Sequence, residues 1–248
     1  MAFTTHFCRT TGTLIVLAIS AFAFPQAATQ HARVELVSRQ ATAAPGSDLQ
    51  LGVHFTLEKG WHIYWINPGD SGQPPSFKWN LPPGFSAGEM EWPRPERLQP
   101  SKELVDYGYD GEVLLPLTIH VPSAISNRAP VEFSAEAKWL ICREVCIPEH
   151  AELKLSLPVA SAVGLDQQHA QLFERTEKLL PQPLPSNWKV SFASAKDELV
   201  LTVRAGKPIT KAEFFPLDPG QIDNPAPQKL QPSHSGATLT LKKSDLLL

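Results

Sequence analysis

Cysteine is scarce in this sequence, and long hydrophobic runs and an excess of either charge are missing. The 248 residues include 3 cysteines, and the formal net charge is −3. Such a balance offers no basic field to attract nucleic acid or an anionic membrane surface. The longest apolar run, residues 14–24, falls short of the about 20 residues that a membrane-spanning helix needs. No second cysteine pair and no HxxxH pattern is present, so the usual zinc layouts find no support. No nicotinamide, flavin or metal motif is visible, and no cofactor is expected. Helix formers do not dominate, while 24 prolines argue for many short strands joined by turns.

The first residues point to export. Arg9 precedes the apolar run, and small residues between 23 and 28 offer a cleavage region, which is the layout of a secretory signal peptide over residues 1–28. Removing it removes Cys8 and leaves two cysteines in an oxidising, periplasm-type compartment, where an even pair is normally a disulfide.

Beyond residue 31, period-two alternation recurs. Leu49, Leu51, Val53, Phe55 and Leu57 form one stripe, and Val113, Leu115, Leu117, Ile119 and Val121 a second. Val131, Phe133, Ala135, Ala137, Trp139 and Ile141 form a third, with Ala151, Leu153, Leu155 and Leu157 a fourth. Half-buried strands separated by turn residues predict an all-β antiparallel sandwich over residues 31–158. Residues 67–100, rich in proline and glycine, are expected to be mostly loop. Leu165, Leu172, Phe173, Thr176, Leu179 and Leu180 recur at helical spacing, so a short helix is expected in a linker over residues 159–185. A second β region over residues 186–248 would have strands near 188–192, 199–203, 212–215 and 237–241. Its few strands make it look incomplete, as the front part of a longer protein would.

The chemistry concentrates in Cys142-Arg143-Glu144-Val145-Cys146. Alternation turns Cys142 away from the core, on the side of Lys138 and Leu140. Four extended steps would separate the two Cα atoms by about 13 Å, whereas a disulfide needs about 4.4 to 6.8 Å. The chain must therefore turn sharply between the cysteines. Three readings stay open on spacing alone. A staple across so short a loop contributes only about 2 kcal/mol. A tight, surface-facing pair is open to attack by a partner thiolate. Two thiolates with His150 could hold Cu(I), which keeps a copper-handling protein in view. Arg143 would favour a thiolate, whereas Glu144 and Glu149 would oppose it. In Trp61-His62-Ile63-Tyr64-Trp65, alternation puts the tryptophans and Ile63 on one face and His62 and Tyr64 on the other. Core packing accounts for the tryptophans; an exposed row would instead suit a binding sandwich without chemistry, with a structural disulfide.

Four segments taken in order carry a resemblance: GWHIYWINPGDSGQPPSFKW from Gly60, then Glu91-Trp92-Pro93, then Tyr107-Gly108-Tyr109-Asp110-Gly111-Glu112, then WLICREVCIPE from Trp139. Together they resemble the periplasmic N-terminal region of the DsbD/ScsB group of thiol:disulfide interchange proteins, also described as cytochrome c biogenesis or DipZ-like proteins. The resemblance covers residues 31–158 and implies an immunoglobulin-like sandwich with a redox pair at Cys142 and Cys146. It implies a membrane-embedded electron donor domain, in the same or a separate chain, and periplasmic thioredoxin-like or disulfide isomerase acceptors. It also implies a cap segment, Val105-Asp106-Tyr107-Gly108-Tyr109, with Tyr107 and Tyr109 as covering aromatics and His62 and Tyr64 lining the site. The short cysteine spacing fits the ScsB-like branch, in which a second β region follows. The group's membrane and thioredoxin-like domains are not within these residues. Cys146, inside the turn, is expected to face the partner.

Overall fold

The computed structural model describes residues 27–125 and 129–247. Its strands in chain order begin with β1 (Ala27–Ala28), β2 (Ala32–Ser38), β3 (Asp48–Leu57), β4 (His62–Gly69), β5 (Ser76–Asn80) and β6 (Ser86–Met90). They continue with β7 (Glu96–Leu98), β8 (Asp106–Asp110), β9 (Glu112–His120), β10 (Val131–Cys142) and β11 (Cys146–Leu157). After α1 (Ala170–Glu177) come β12 (Lys189–Ser194), β13 (Glu198–Arg204), β14 (Lys229–Ser233) and β15 (Gly236–Lys242).

The first eleven strands make two antiparallel sheets. One runs β1-β2-β3-β9-β6, the other β11-β10-β4-β8-β7, with β5 taking over from β4 along β10. The expected stripes supply the layer between them: Leu51, Val53, Phe55, Leu115, Leu117, Phe133, Ile141 and their neighbours form one closed core. Side chains alternate across a strand, so one face of each sheet fills this layer while the other stays free for polar residues. The all-β, immunoglobulin-like expectation agrees with this architecture.

Two expectations need correction, and two others gain detail. Residues 67–100 are loop for just over half of their length, but the short strands β5, β6 and β7 also lie within them and pair with β10, β9 and β8. Their brevity and the intervening prolines hid the alternation. The helix starts later than Leu165, which instead bridges Gln40. Leu172 and Phe173 of α1 pack on Val37 and Leu114, on the face of the first sheet opposite the main core. Residues 212–215 do not form a strand; β14 lies at 229–233 instead. Both backbone groups of Phe214 are taken by the Gln228 side chain, and β14 tolerates Pro232 because it is an edge strand. Ala27 and Ala28, the last two residues of the expected leader, pair with Val34 and Arg33. The rest of that leader, Cys8 included, lies outside the described residues.

The second β region is a four-stranded antiparallel sheet, β12-β13-β15-β14. Ile222, Leu239 and Leu241 form its buried cluster, flanked by Leu199, Leu201, Phe214 and Leu230. Among the described residues no helix is long and apolar enough to cross a membrane.

Candidate functional site

Strands β10 and β11 form one long hairpin whose last residue pair is Cys142 opposite Cys146, joined by the three-residue turn Arg143-Glu144-Val145. Opposed residues of an antiparallel pair come close enough for a side-chain bridge. The two Cα atoms are 4.1 Å apart and the sulfurs are bonded, so the sharp turn expected from the spacing is present.

The two sulfurs meet different surroundings. Cys142 lies on the outward face of its sheet, as alternation requires, yet is only 2% exposed. Here the expectation of a surface-facing pair is corrected, because that face is covered locally. Cys146 is exposed, and Val145 beside it is 63% exposed. What covers Cys142 is β4. His62 is the register partner of Cys142. Tyr64, buried, donates its hydroxyl hydrogen bond to Cys142 Sγ at 3.0 Å and lies 3.5 Å from Cys146 Sγ. His62 packs edge-on to Tyr64 with ring centroids 5.3 Å apart.

A loop following β4 closes over this tyrosine. Gly72 lies against the Tyr64 ring in a left-handed conformation, φ +76°, and any Cβ there would overlap the ring. One residue earlier, Ser71 donates from its hydroxyl to both oxygens of Asp106, each at 2.9 Å, and from its backbone N–H at 3.0 Å. The Asp106 carboxylate is buried and lies 4.0 Å from His62 Nε2, which has no hydrogen-bond partner among the described residues.

Burial dominates the ionisation of this group. It pushes the Asp106 carboxyl above the ordinary carboxylate range, against the two Ser71 hydrogen bonds and His62, with Asp70 adding to the rise. Burial lowers His62 despite the attraction of Asp106 and Asp110. It also raises Tyr64, although a hydrogen bond with Ser71 opposes the rise, so the phenol remains a donor near neutral pH.

The proposed cap segment divides between the two faces of the sheet. Strand β8 pairs with β4 as Tyr64↔Gly108 and Ile63↔Tyr109. Asp106 and Gly108 therefore face the site, and the missing side chain at Gly108 admits the close approach of Ile63 O. Tyr107 and Tyr109, expected as covering aromatics, point into the core instead. The Tyr107 hydroxyl donates to Asn224 Oδ1 at 2.8 Å and that of Tyr109 to Pro93 O at 2.7 Å. Burial pushes the Tyr107 phenol up to about 12 and raises that of Tyr109 further. Val105, buried, donates its backbone N–H to Asp70 Oδ2 at 2.8 Å.

Two of the charges flanking the cysteines, Arg143 and Glu149, are diverted from the sulfurs. Arg143 lies over the Trp61 ring, 5.1 Å from its centroid, and Glu149 accepts hydrogen bonds from Trp139 Nε1 and Thr29 Oγ1. His150 is paired with Lys138, four steps along the ladder from the cystine, or about 13 Å. It is too far to share a metal ion with both sulfurs, and among the described residues no three His, Cys, Asp or Glu side chains are placed to hold one.

Sequence reasoning missed Asp70, Ser71 and Gly72. The signal was present in Gly69-Asp70-Ser71-Gly72, where two glycines at positive φ flank two polar residues.

Comparison with known proteins agrees with this geometry. No curated protein sequence matches the chain. The crystal structure of the N-terminal periplasmic domain of ScsB from Proteus mirabilis superposes with a TM-score of 0.62 at 18% sequence identity. That superposition covers 88% of this chain and 82% of the other, and at this identity it speaks for the fold alone. The sequence profile described as "Thiol:disulfide interchange protein DsbD, N-terminal" matches residues 33–158, just over half of the 248. With the cystine inside that span, this chain belongs to the DsbD N-terminal family.

Proposed function

We propose that the chain is a periplasmic thiol-disulfide exchange module that takes reducing equivalents from a membrane-embedded donor domain and passes them to periplasmic acceptor proteins. The observation that carries the proposal is the Cys142–Cys146 disulfide, with one sulfur open to solvent and the other held under the Tyr64 hydroxyl.

The step follows from that asymmetry. A donor thiolate attacks Cys146 Sγ, the exposed sulfur; a new S–S bond forms while the Cys142–Cys146 bond breaks. The bonding electron pair leaves on Cys142 Sγ as a thiolate, which the Tyr64 hydroxyl stabilises by its hydrogen bond and which then takes up a proton. The donor's second thiolate attacks its own sulfur in the mixed disulfide and releases Cys146, which is protonated in turn. Two electrons and two protons enter the pair, and the donor is left as a disulfide. Delivery to an acceptor disulfide reverses the sequence. Asp106, a buried carboxyl group that faces the same site and is raised by burial, is the source and sink for its proton in this proposal.

Single-serine variants expressed in a periplasm test the proposal. Cys142→Ser leaves the exposed sulfur without its resolving partner, so it should accumulate a dithiothreitol-sensitive adduct, several-fold more than Cys146→Ser. If neither variant traps any protein while the reduced pair binds copper tightly, the exchange proposal fails and the copper alternative replaces it.

A further inference from the structure

The loop that lies over Tyr64 is held from both sides. Strands β4 and β8 lose register between Tyr64 and Gly69, and the residues bulged out there meet the second β region. Asn67 Nδ2 donates to Pro216 O at 2.8 Å. Phe215 packs edge-on to Trp65 and Tyr107, with centroids 6.2 and 5.3 Å away. Arg97 reaches Glu213 at 3.7 Å and also donates to the backbone oxygen of Asn224.

Asn224 lies at the centre of this contact and is buried. Its Oδ1 accepts from Tyr107, and its Nδ2 donates to Asp70 Oδ1 at 2.8 Å. The other Asp70 oxygen is taken by the Val105 N–H, while the Asp70 N–H donates back to Val105 O at 3.1 Å. Three consecutive residues thus carry one mechanical link. Asp70 is gripped by the second region, Ser71 is tied to Asp106, and Gly72 lies on the Tyr64 ring above Cys142.

From this arrangement we infer that Asn224 is a positioning residue, through which the second β region clamps residues 70–72 over Tyr64 and keeps the Tyr64 hydroxyl on Cys142 Sγ, the sulfur that leaves when a thiolate attacks Cys146. The significance of this clamp rests on the exchange function proposed above, but its effect on the sulfurs is measurable without a protein partner. Removing one partner of a buried hydrogen bond leaves the other unsatisfied, and a loop in that state opens more often. A tie serving only to join the two regions would, when cut, leave the chemistry of the sulfurs untouched.

The test uses the whole oxidised chain and excess dithiothreitol, whose two thiols close to a ring disulfide as the cystine takes up two electrons and two protons. Samples are quenched by alkylation and scored for free thiols. Asn224→Ala should lower the reduction rate about fivefold, the factor that one net hydrogen bond to the leaving sulfur carries at 25 °C. Asp70→Ala, which cuts the same link from the first sandwich, should do likewise and serves if the Asn224 variant does not fold. The double variant should be no slower than either single one, because both break a single connection. Gln228→Ala disturbs the second region away from Asp70 and should react at the parent rate. The inference is overturned if Asn224→Ala and Asp70→Ala react at the parent rate or faster, or if Gln228→Ala is slowed equally. A parent cystine inert to dithiothreitol instead removes the exchange function, and the clamp with it.

Discussion

The first sandwich and the second β region are built from the same alternating strands, yet they differ in what they can support. The first closes two sheets over a layer where Val34, Leu51, Phe55, Leu115, Phe133 and Ile141 are fully buried. The second is one sheet whose buried cluster is Ile222, Leu239 and Leu241, and its strand β12 leaves Val190 and Phe192 exposed. A buried carboxylate, an unpaired imidazole nitrogen and a tyrosine aimed at sulfur all cost free energy, and only a rigid scaffold holds them in place. All three are in the first sandwich. The second region supplies position instead, through the polar contacts gathered around Asn224 and the ring of Phe215.

The difference is tested most strongly by removing side chains from the two cores. Phe133→Ala should destabilise the protein by about 3 to 5 kcal/mol, since the ring is fully buried and packs edge-on to Phe85. Leu241→Ala should cost about 2 kcal/mol, the low end for a leucine, because the thin second layer can collapse around the gap. Urea unfolding of both variants checks this, and a Leu241→Ala loss as large as that of Phe133→Ala would break the comparison.

A smaller effect should appear with pH. Because burial lowers the His62 pKa, the unfolded chain binds that proton first as pH falls below about 6.5. Stability is therefore lost on acidification through that window and regained as pH rises. The raised Asp106 carboxyl acts in the opposite sense at lower pH. The His62 share is the difference between the parent protein and His62→Gln, with the parent losing more stability between about pH 6.5 and 5. An NMR titration of His62 at or above its ordinary value would contradict this. The smallest change is expected at the rim of the second region: Phe192 is half exposed and packs on Phe214, so Phe192→Ser should cost no more than about 1 kcal/mol in thermal unfolding. A larger loss would mean that this rim is part of the structural core after all.

Much of the sandwich is legible in the sequence because its core stripes are long and apolar, as in the run from Val131 to Ile141. The cystine turn follows from chain geometry, since Cys142 and Cys146 have to approach each other across three residues. The side of β4 occupied by His62 and Tyr64 follows from alternation with Ile63. The orientation of Tyr107 and Tyr109 does not, because tyrosine suits both a core face and a polar one. The register that sends them inward is set by pairing with β4, a long-range fact. Gly69-Asp70-Ser71-Gly72 reads locally as a turn, and nothing nearby shows that Ser71 bonds Asp106 or that Asn224, 154 residues on from Asp70, holds it. Residues 212–215 have strand-like composition, but Phe214 packs with the second core and Phe215 with the first, so no single face collects them.

The hairpin carrying the sulfurs is laddered from Val131 opposite Leu157 to Cys142 opposite Cys146, with the disulfide at its last rung. A cross-link in that place closes no ring that the backbone has not already closed. Its removal should leave the other rungs intact, so the two oxidation states share one fold. Reduction and reoxidation of the pair should then open no part of the chain to proteases or to the bare strand edges of neighbouring molecules, the expected result for a cross-link that holds nothing the ladder does not already hold.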